Sequence, residues 1–317
     1  MSSFTSRPYA GAADLDLLIA FAREATTARW PGLAYLHPGD VAWQLFAVTE
    51  AEGRRNIRLW FDAGGLAAFA LFEPPLHAQF DVRAGVDLHA PVTAQLLSWA
   101  QERRREVARA GGEETPRAYA MLGNETLSTV ALDSDHERIA FLRANGFERT
   151  ERHSVRYSRD LAAPIAKREL PPGMRLRHAT GADLAERSAL HRDAWSTWGP
   201  SSFTEEEYRL LRALPVYDDE LDVVAEAPGG ALVSYCICWA DEATGVSAFE
   251  PVGTRPGHTG QGLARAVILE GLRRLRDRGM HTALVSTASV NEAAMRLYPS
   301  CGFDVVEREH FYVKQVL

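Results

Sequence analysis

Apolar and polar positions repeat with two different periods along this chain, and each change of period marks where a strand gives way to a helix. From Gly262 to Arg278 the apolar residues Ile268, Leu272 and Leu275 form one stripe, which predicts an amphipathic helix stopped by Gly279. Thr204 followed by Glu207 is a capping box and predicts a helix over Thr204–Leu214. Apolar runs bounded by turn residues predict strands at Leu221–Ala227, Ala231–Trp239 and Val246–Thr254. The same reading predicts a strand at Met174–His178, a helix at Ala182–Trp195, a strand at Thr282–Thr287 and a helix at Asn291–Ser300. Terminal strands at Phe303–Glu307 and His310–Val316 complete it. The pattern is that of a mixed α/β domain (α+β, mixed sheet).

A fainter copy of this plan precedes it. Ala13-Asp14-Leu15 in an early helix answers Ala182-Asp183-Leu184. The turn Gly64-Gly65 answers Gly229-Gly230, and the helix stop Gly146-Phe147 answers Gly302-Phe303. Three prolines and a glycine between Leu161 and Gly173 disfavour helix and ladder alike. The expected organisation is a first domain over 1–160, a linker over 161–173 and a second domain over 174–317. An internal repeat of this kind constrains the fold more than any local propensity does.

Composition narrows the function. With 46% hydrophobic and 24% charged residues the chain of 317 residues is an ordinary folded protein. The net charge of −7 divides into −3 and −4 on either side of Ile165, and the lysines number two, Lys167 and Lys314. Nucleic acid is therefore not an expected partner. Cys236, Cys238 and Cys301 cannot build a disulfide framework, and a reducing, cytoplasmic setting is expected. No apolar run approaches the ~20 residues that span a bilayer, and the ten histidines show no zinc spacing, so neither a membrane nor a metal is expected.

The segment that carries chemistry runs from Phe249 to Ala264, a strand entering a glycine-rich turn and then a helix. Such a turn aims the first helix amides and the positive end of the helix dipole at one point, which suits phosphate. Gly260 and Gly262 remove side chains from that point, and Arg255 and His258 are candidate additional donors. A dinucleotide fingerprint does not fit, because Arg265 stands where its third glycine belongs.

Thr259-Gly260-Gln261-Gly262-Leu263-Ala264 resembles the Q/R-x-x-G-x-G/A pyrophosphate turn of the GCN5-related N-acetyltransferases (GNAT), with Thr259 departing from the family's Gln or Arg. Asn291 to Phe303 is similar to that family's second motif, N-x-x-A-x-x-x-Y-x-x-x-G-F. The resemblance implies two tandem acyl-CoA N-acyltransferase (GNAT-like) domains, acetyl-CoA as acyl donor and a small-molecule amine as acceptor, in a monomer or homodimer. It implies that Val252, Gly253 and Thr254 offer main-chain groups to the pantetheine arm, that Asn291 holds the arm from the far side, and that Tyr298 protonates the departing sulfur. Glu250, four residues before Thr254, is the expected general base. Trp195, Trp198 and Phe203 lie in the stretch that roofs the acceptor in this family; Trp30, Tyr35 and His37 lie in the matching stretch of the first half.

In the first half, aligning Gly146 with Gly302 sets Leu142 against Tyr298 and Asp135 against Asn291, with Asp81 matched to Glu250 and Asp87 in the would-be phosphate turn. That half is expected to have lost the cofactor. The layout is similar to tandem family members of the mycothiol-synthase type, which acetylate a cysteinyl amine, and a non-catalytic acyl-CoA sensor is the rival reading.

Overall fold

The computed structural model describes residues 4–29, 34–111, 119, 122–167, 169–197, 199 and 201–317. In chain order the elements are β1 (Thr5–Pro8), α1 (Ala12–Ala28), α2 (Pro38–Leu45), α3 (Glu50–Asn56), β2 (Ile57–Asp62), β3 (Gly65–Glu73), β4 (His77–Val82), α4 (Pro91–Ala110), β5 (Thr126–Leu132), α5 (His136–Ala144) and β6 (Glu148–Asp160). There follow β7 (Arg175–His178), α6 (Leu184–Trp195), α7 (Glu205–Arg212), β8 (Asp222–Glu226), β9 (Leu232–Asp241), β10 (Val246–Thr254), α8 (Leu263–Asp277), β11 (Thr282–Ala288), α9 (Glu292–Ser300) and β12 (Asp304–Gln315).

The succession β2-β3-β4-α4-β5-α5-β6 recurs as β8-β9-β10-α8-β11-α9-β12, so the tandem α/β plan expected from the sequence is present. Two compact units carry it. Unit 1 comprises Met1–Tyr35, Val48–Ser154 and Glu307–Leu317; unit 2 comprises Leu36–Ala47 and Val155–Val306. This differs from the serial division at 160 and 174. The segment Leu36–Ala47 belongs with unit 2 because α2 lies flush on the β9–β10 hairpin: Gly39 is so close to the Trp239 ring that a Cβ has no room. The last strand serves unit 1, where Glu309–Gln315 pairs antiparallel with β5. It is one strand, Asp304–Gln315, rather than the expected pair.

The expected linker is no free tether. Leu161 is fully buried and its amide donates to the His281 carbonyl, while Ile165 and Leu170 pack against the unit 2 core. Among the described residues no helix is long and apolar enough to cross a membrane.

In unit 2 the strand order is β6-β11-β10-β9-β8-β7, with β10 and β11 parallel and the pairs from β10 to β7 antiparallel. The stripe of α8, including Val267, Ile268, Leu272 and Leu275, buries against Val233, Cys236 and Cys238 of β9 and Phe249 of β10. A parallel pair requires a crossover, and α8 supplies it, covering one face of the sheet.

Behind the opposite face lies a buried ion pair. Arg187 of α6 reaches Asp222 at 3.1 Å, both at 1% exposure or less, and the hydroxyls of Tyr208 and Tyr217 donate to the same carboxylate at 2.8 and 3.0 Å. The Arg187 guanidinium also lies 3.6 Å from the centre of the Tyr235 ring. Removing one partner of such a pair leaves an uncompensated buried charge. Asp222→Ala is expected to cost about 3–5 kcal/mol of stability, read as a lowered urea midpoint with an unchanged slope.

Candidate active site

Strands β10 and β11 pair only at Val246–Thr282, Ser247–Ala283 and Ala248–Leu284, after which β10 continues to Thr254 beside β9 alone. One edge of β10 is therefore open along its second half. Arg255 donates its amide to Val233, so residues 255 and 253 turn their main-chain groups toward β9. By the alternation of an antiparallel ladder, Val252 and Thr254 turn theirs into the opening. Gly253 is required for a different reason than backbone freedom, since a Cβ there would stand 2.6 Å from the Tyr235 ring and 2.9 Å from Ala194. An irregularity between Phe249 and Val252 breaks the register with β9. Irregularities of this kind re-aim a side chain, here Glu250.

Below the opening comes the turn. Gly262 takes the left-handed conformation (φ 78°, ψ 15°) immediately before α8 and provides no side-chain cap. The first in-helix amide bond is Ala266 to the Gly262 carbonyl, so the preceding amides point outward unclaimed by the helix. Gly260 (φ 75°) faces open space where a Cβ would be. The Nδ1 atom of His258 is buried without a hydrogen-bond partner among the described residues. The open position at Gly260, the outward amides and an orphaned imidazole nitrogen together fit a phosphate-bearing group. Arg255, considered above as a donor, is committed elsewhere: it bonds Glu186 at 2.7 Å and Asp193 at 2.9 Å on α6. The Thr259 hydroxyl donates to the Pro256 carbonyl and shapes the turn itself.

Glu250 is half-buried, and its carbonyl accepts the Trp239 indole N–H at 2.7 Å. Burial first, and the charge of Asp40 second, push its carboxyl up to about 8. Tyr298 is 6% exposed, its ring set edge-on to Tyr157 at 5.5 Å and near Phe303 at 6.1 Å. Burial and then the Glu250 charge hold its phenol well above the usual range, so it keeps its proton. Asn291 caps α9, its side chain accepting from Ala294 at 3.2 Å. Cys301 is buried and its thiol is pushed up to about 11 by desolvation, which leaves little thiolate for nucleophilic work.

An aromatic wall gathers around Tyr235, whose phenol feels the charge of Glu250. Trp195 donates its indole N–H to Tyr235 at 2.9 Å, and His191 stacks between Trp195, Phe203 and Trp43. Phe203 is 8% exposed and also meets Phe46. Trp43 and Asp40 come from α2 and Phe46 caps its C-terminus; the part of this helix in the site was not anticipated from the sequence. A signal was present in the capping pattern of His37 and Asp40, both ends of which form: His37 Nδ1 accepts from Gly39, and Asp40 accepts from the His37 amide. His37 is thus a buried helix cap that also meets the Val246 carbonyl at 3.3 Å. Trp30 and Trp198 lie outside the described residues. Tyr35 belongs to unit 1, where it is 2% exposed and its hydroxyl is engaged by Asp135 and the Leu132 amide. An acceptor contact from that ring has no support in this placement.

Unit 1 fills the matching positions differently. Asp135 caps α5 as Asn291 caps α9, which confirms the alignment of the two helices. Extending that alignment to the strands, His77 pairs with Ser128 where Ala248 pairs with Leu284. Gln79, and not Asp81, then stands at the place of Glu250. Asp81 instead holds Arg29 at 2.8 Å. The turn before α4 has Pro91 at the first helical position, with no amide to offer, and Asp87 folded back on the His89 amide.

Known proteins are similar to this chain in sequence and in fold. Residues 187–303 match the model of the acetyltransferase (GNAT) family. A mycothiol acetyltransferase of Thermobispora bispora is 34% identical over 50% of this chain and 57% of its own length. The chain therefore spans little more than half of that relative. A mycothiol acetyltransferase of Saccharomonospora viridis is 26% identical, with 87% of this chain and 94% of the relative covered. A solved tandem GNAT protein from the clavulanic acid biosynthesis pathway covers 99% of both chains with a TM-score of 0.63 at 15% identity, a likeness of fold. The chain thus has the tandem GNAT fold, and its second half carries an acetyltransferase domain of the GNAT family.

Proposed function

We propose that unit 2 transfers an acetyl group from acetyl-coenzyme A to the primary amine of a small molecule by direct attack. The observation that carries the reading is the alignment, along one open strand edge, of a phosphate-suited turn, outward main-chain groups at Val252 and Thr254, and an acid–base pair in Glu250 and Tyr298. The turn from Thr259 to Ala264 and His258 would hold the pyrophosphate, and Asn291 would flank the arm. When bound, the coenzyme supplies an activated thioester. Glu250, ionised above about pH 8, takes the proton that an ammonium acceptor must lose. Tyr298, protonated throughout, donates toward the departing sulfur.

Asp40 and the wall of Trp43, Trp195 and Phe203 define the acceptor side. An anionic carboxylate beside aromatic faces suits a cationic amine carried on a sugar-like or flat body. A cysteinyl amine, as in the mycothiol-synthase reaction, is compatible with that description, and the likeness to mycothiol acetyltransferases supports it. Thiol release from acetyl-coenzyme A, followed against amino acids, aminoglycosides, peptides and cysteinyl glycosides, tests the reading. Turnover with one amine class is expected. Tight coenzyme binding with no turnover on any amine would favour the sensor instead.

Two further results are expected. kcat/KM rises with pH through an apparent pKa near 8, because the raised Glu250 carboxyl is protonated and inactive below it. Asp40→Asn removes the charge that helps to raise Glu250, so the rise moves toward acid by a few tenths to about one unit. A profile unmoved by that substitution would deny Asp40 its place beside the base.

A further inference from the structure

Each unit has a parallel strand pair that opens into a cleft. In unit 2 the helix beyond the cleft, α9, presents Ala294 at the position whose amide bonds the Asn291 cap. In unit 1 the corresponding residue of α5, whose amide bonds the Asp135 cap at 3.0 Å, is Arg138. A methyl group stands on one side of the repeat and a seven-atom cationic side chain on the other.

Arg138 does not reach solvent; it is 1% exposed. Its Nε donates to the Val130 carbonyl of β5 at 2.9 Å and its Nη2 to the Phe80 carbonyl of β4 at 3.0 Å. The guanidinium is sandwiched by Phe80 and Tyr35, whose ring centres are 3.9 and 4.0 Å away. Tyr35 is fixed in turn by its bond to Asp135. The planar fork thus spans the gap beyond the His77–Ser128 pair and claims a carbonyl on each strand. An extended amide chain entering such a cleft needs those strand-edge groups and that width.

We propose that Arg138 occupies the unit 1 cleft in place of a coenzyme arm, so that a chain with two copies of the fold has one acyl-coenzyme A site. The inference takes from the proposed function only the location of the arm in unit 2. It accounts for two features together: Asp135 stands in place of Asn291, where a carboxylate can balance a buried guanidinium, and Tyr35 forms one face of the sandwich. It also separates two barriers in unit 1. Pro91 and Asp87 oppose phosphate, while Arg138 blocks the pantetheine portion.

The test uses the full chain. Titration of the unaltered protein with coenzyme A should give one site per chain; two sites would overturn the proposal. With unit 2 saturated by coenzyme A, S-acetylpantetheine, which lacks the phosphates that Asp87 opposes, is then added to 15N-labelled protein. Arg138→Ala should show shifts at Phe80 and Val130 at concentrations at least tenfold below any response of the unaltered protein. Arg138→Met, smaller by three atoms and leaving the Phe80 and Val130 carbonyls unclaimed, should respond between the unaltered protein and Arg138→Ala. Equal responses in the Ala variant and the unaltered protein would overturn the proposal, and the stoichiometry of the unaltered chain tests it even if Arg138→Ala does not fold. Absence of any coenzyme site would instead sink the transferase reading, leaving the S-acetylpantetheine comparison, run without coenzyme A, to decide the role of Arg138.

Discussion

Glu250→Gln is expected to lower turnover by about 10²–10⁴-fold while coenzyme affinity stays within about twofold. The glutamine keeps the side chain's shape, and the Trp239 bond to the residue 250 carbonyl involves main chain only, so local structure has little reason to change. What disappears is a carboxyl beside the opening that is raised into the range where it can accept a proton near neutrality. The pH dependence near 8 should vanish with it, leaving a slow, flatter profile. A variant with near-native turnover across pH would remove Glu250 from the mechanism. Tyr298→Phe should show a loss of similar size with the pH rise intact, because the phenol stays protonated throughout.

Gly262→Glu is expected to abolish coenzyme binding. Two effects act in the same direction. The left-handed φ of 78° costs a residue with a Cβ roughly 1–2 kcal/mol, and the new carboxylate stands among the amides and the helix terminus that suit an anion. Gly262→Asn carries no charge and tolerates that conformation better, so it should retain weakened binding. Calorimetric titration of the two variants separates strain from charge. If Gly262→Glu binds coenzyme as well as Gly262→Asn does, the turn is not the phosphate site.

Much of unit 2 was legible in the sequence because its signals are local. The capping box at Thr204, the stripe on α8 and the glycine stops each depend on residues within a turn or two of one another, and the elements lie within a residue or two of where they were expected. What stayed hidden depends on which surface a segment meets. Nothing in Pro38–Leu45 reveals that its helix rests on Trp239, since only the fold brings Gly39 there. Asp40 therefore went unnoticed beside Glu250. The junction between the terminal strands hid the continuity of β12 for a related reason: a strand that serves both units keeps no single alternation of inward and outward residues. Alignment along the strand in sequence sets Asp81 against Glu250, whereas the ladder at His77–Ser128 counts Gln79 into that place.

Cys301 bears on the order of events. Its thiol is buried and pushed up to about 11, so a covalent acyl-enzyme on sulfur is not the expected route, and the acetyl group should pass straight to the amine while both substrates are bound. Single-turnover mixing of the full chain with isotopically labelled acetyl-coenzyme A and the amine identified by thiol release, quenched and resolved by mass, tests this central claim most directly. The account predicts that label appears on the amine at the rate at which thiol is released, with no labelled protein at any time. Labelled protein preceding labelled amine, or thiol release without an acetylated amine, would contradict it.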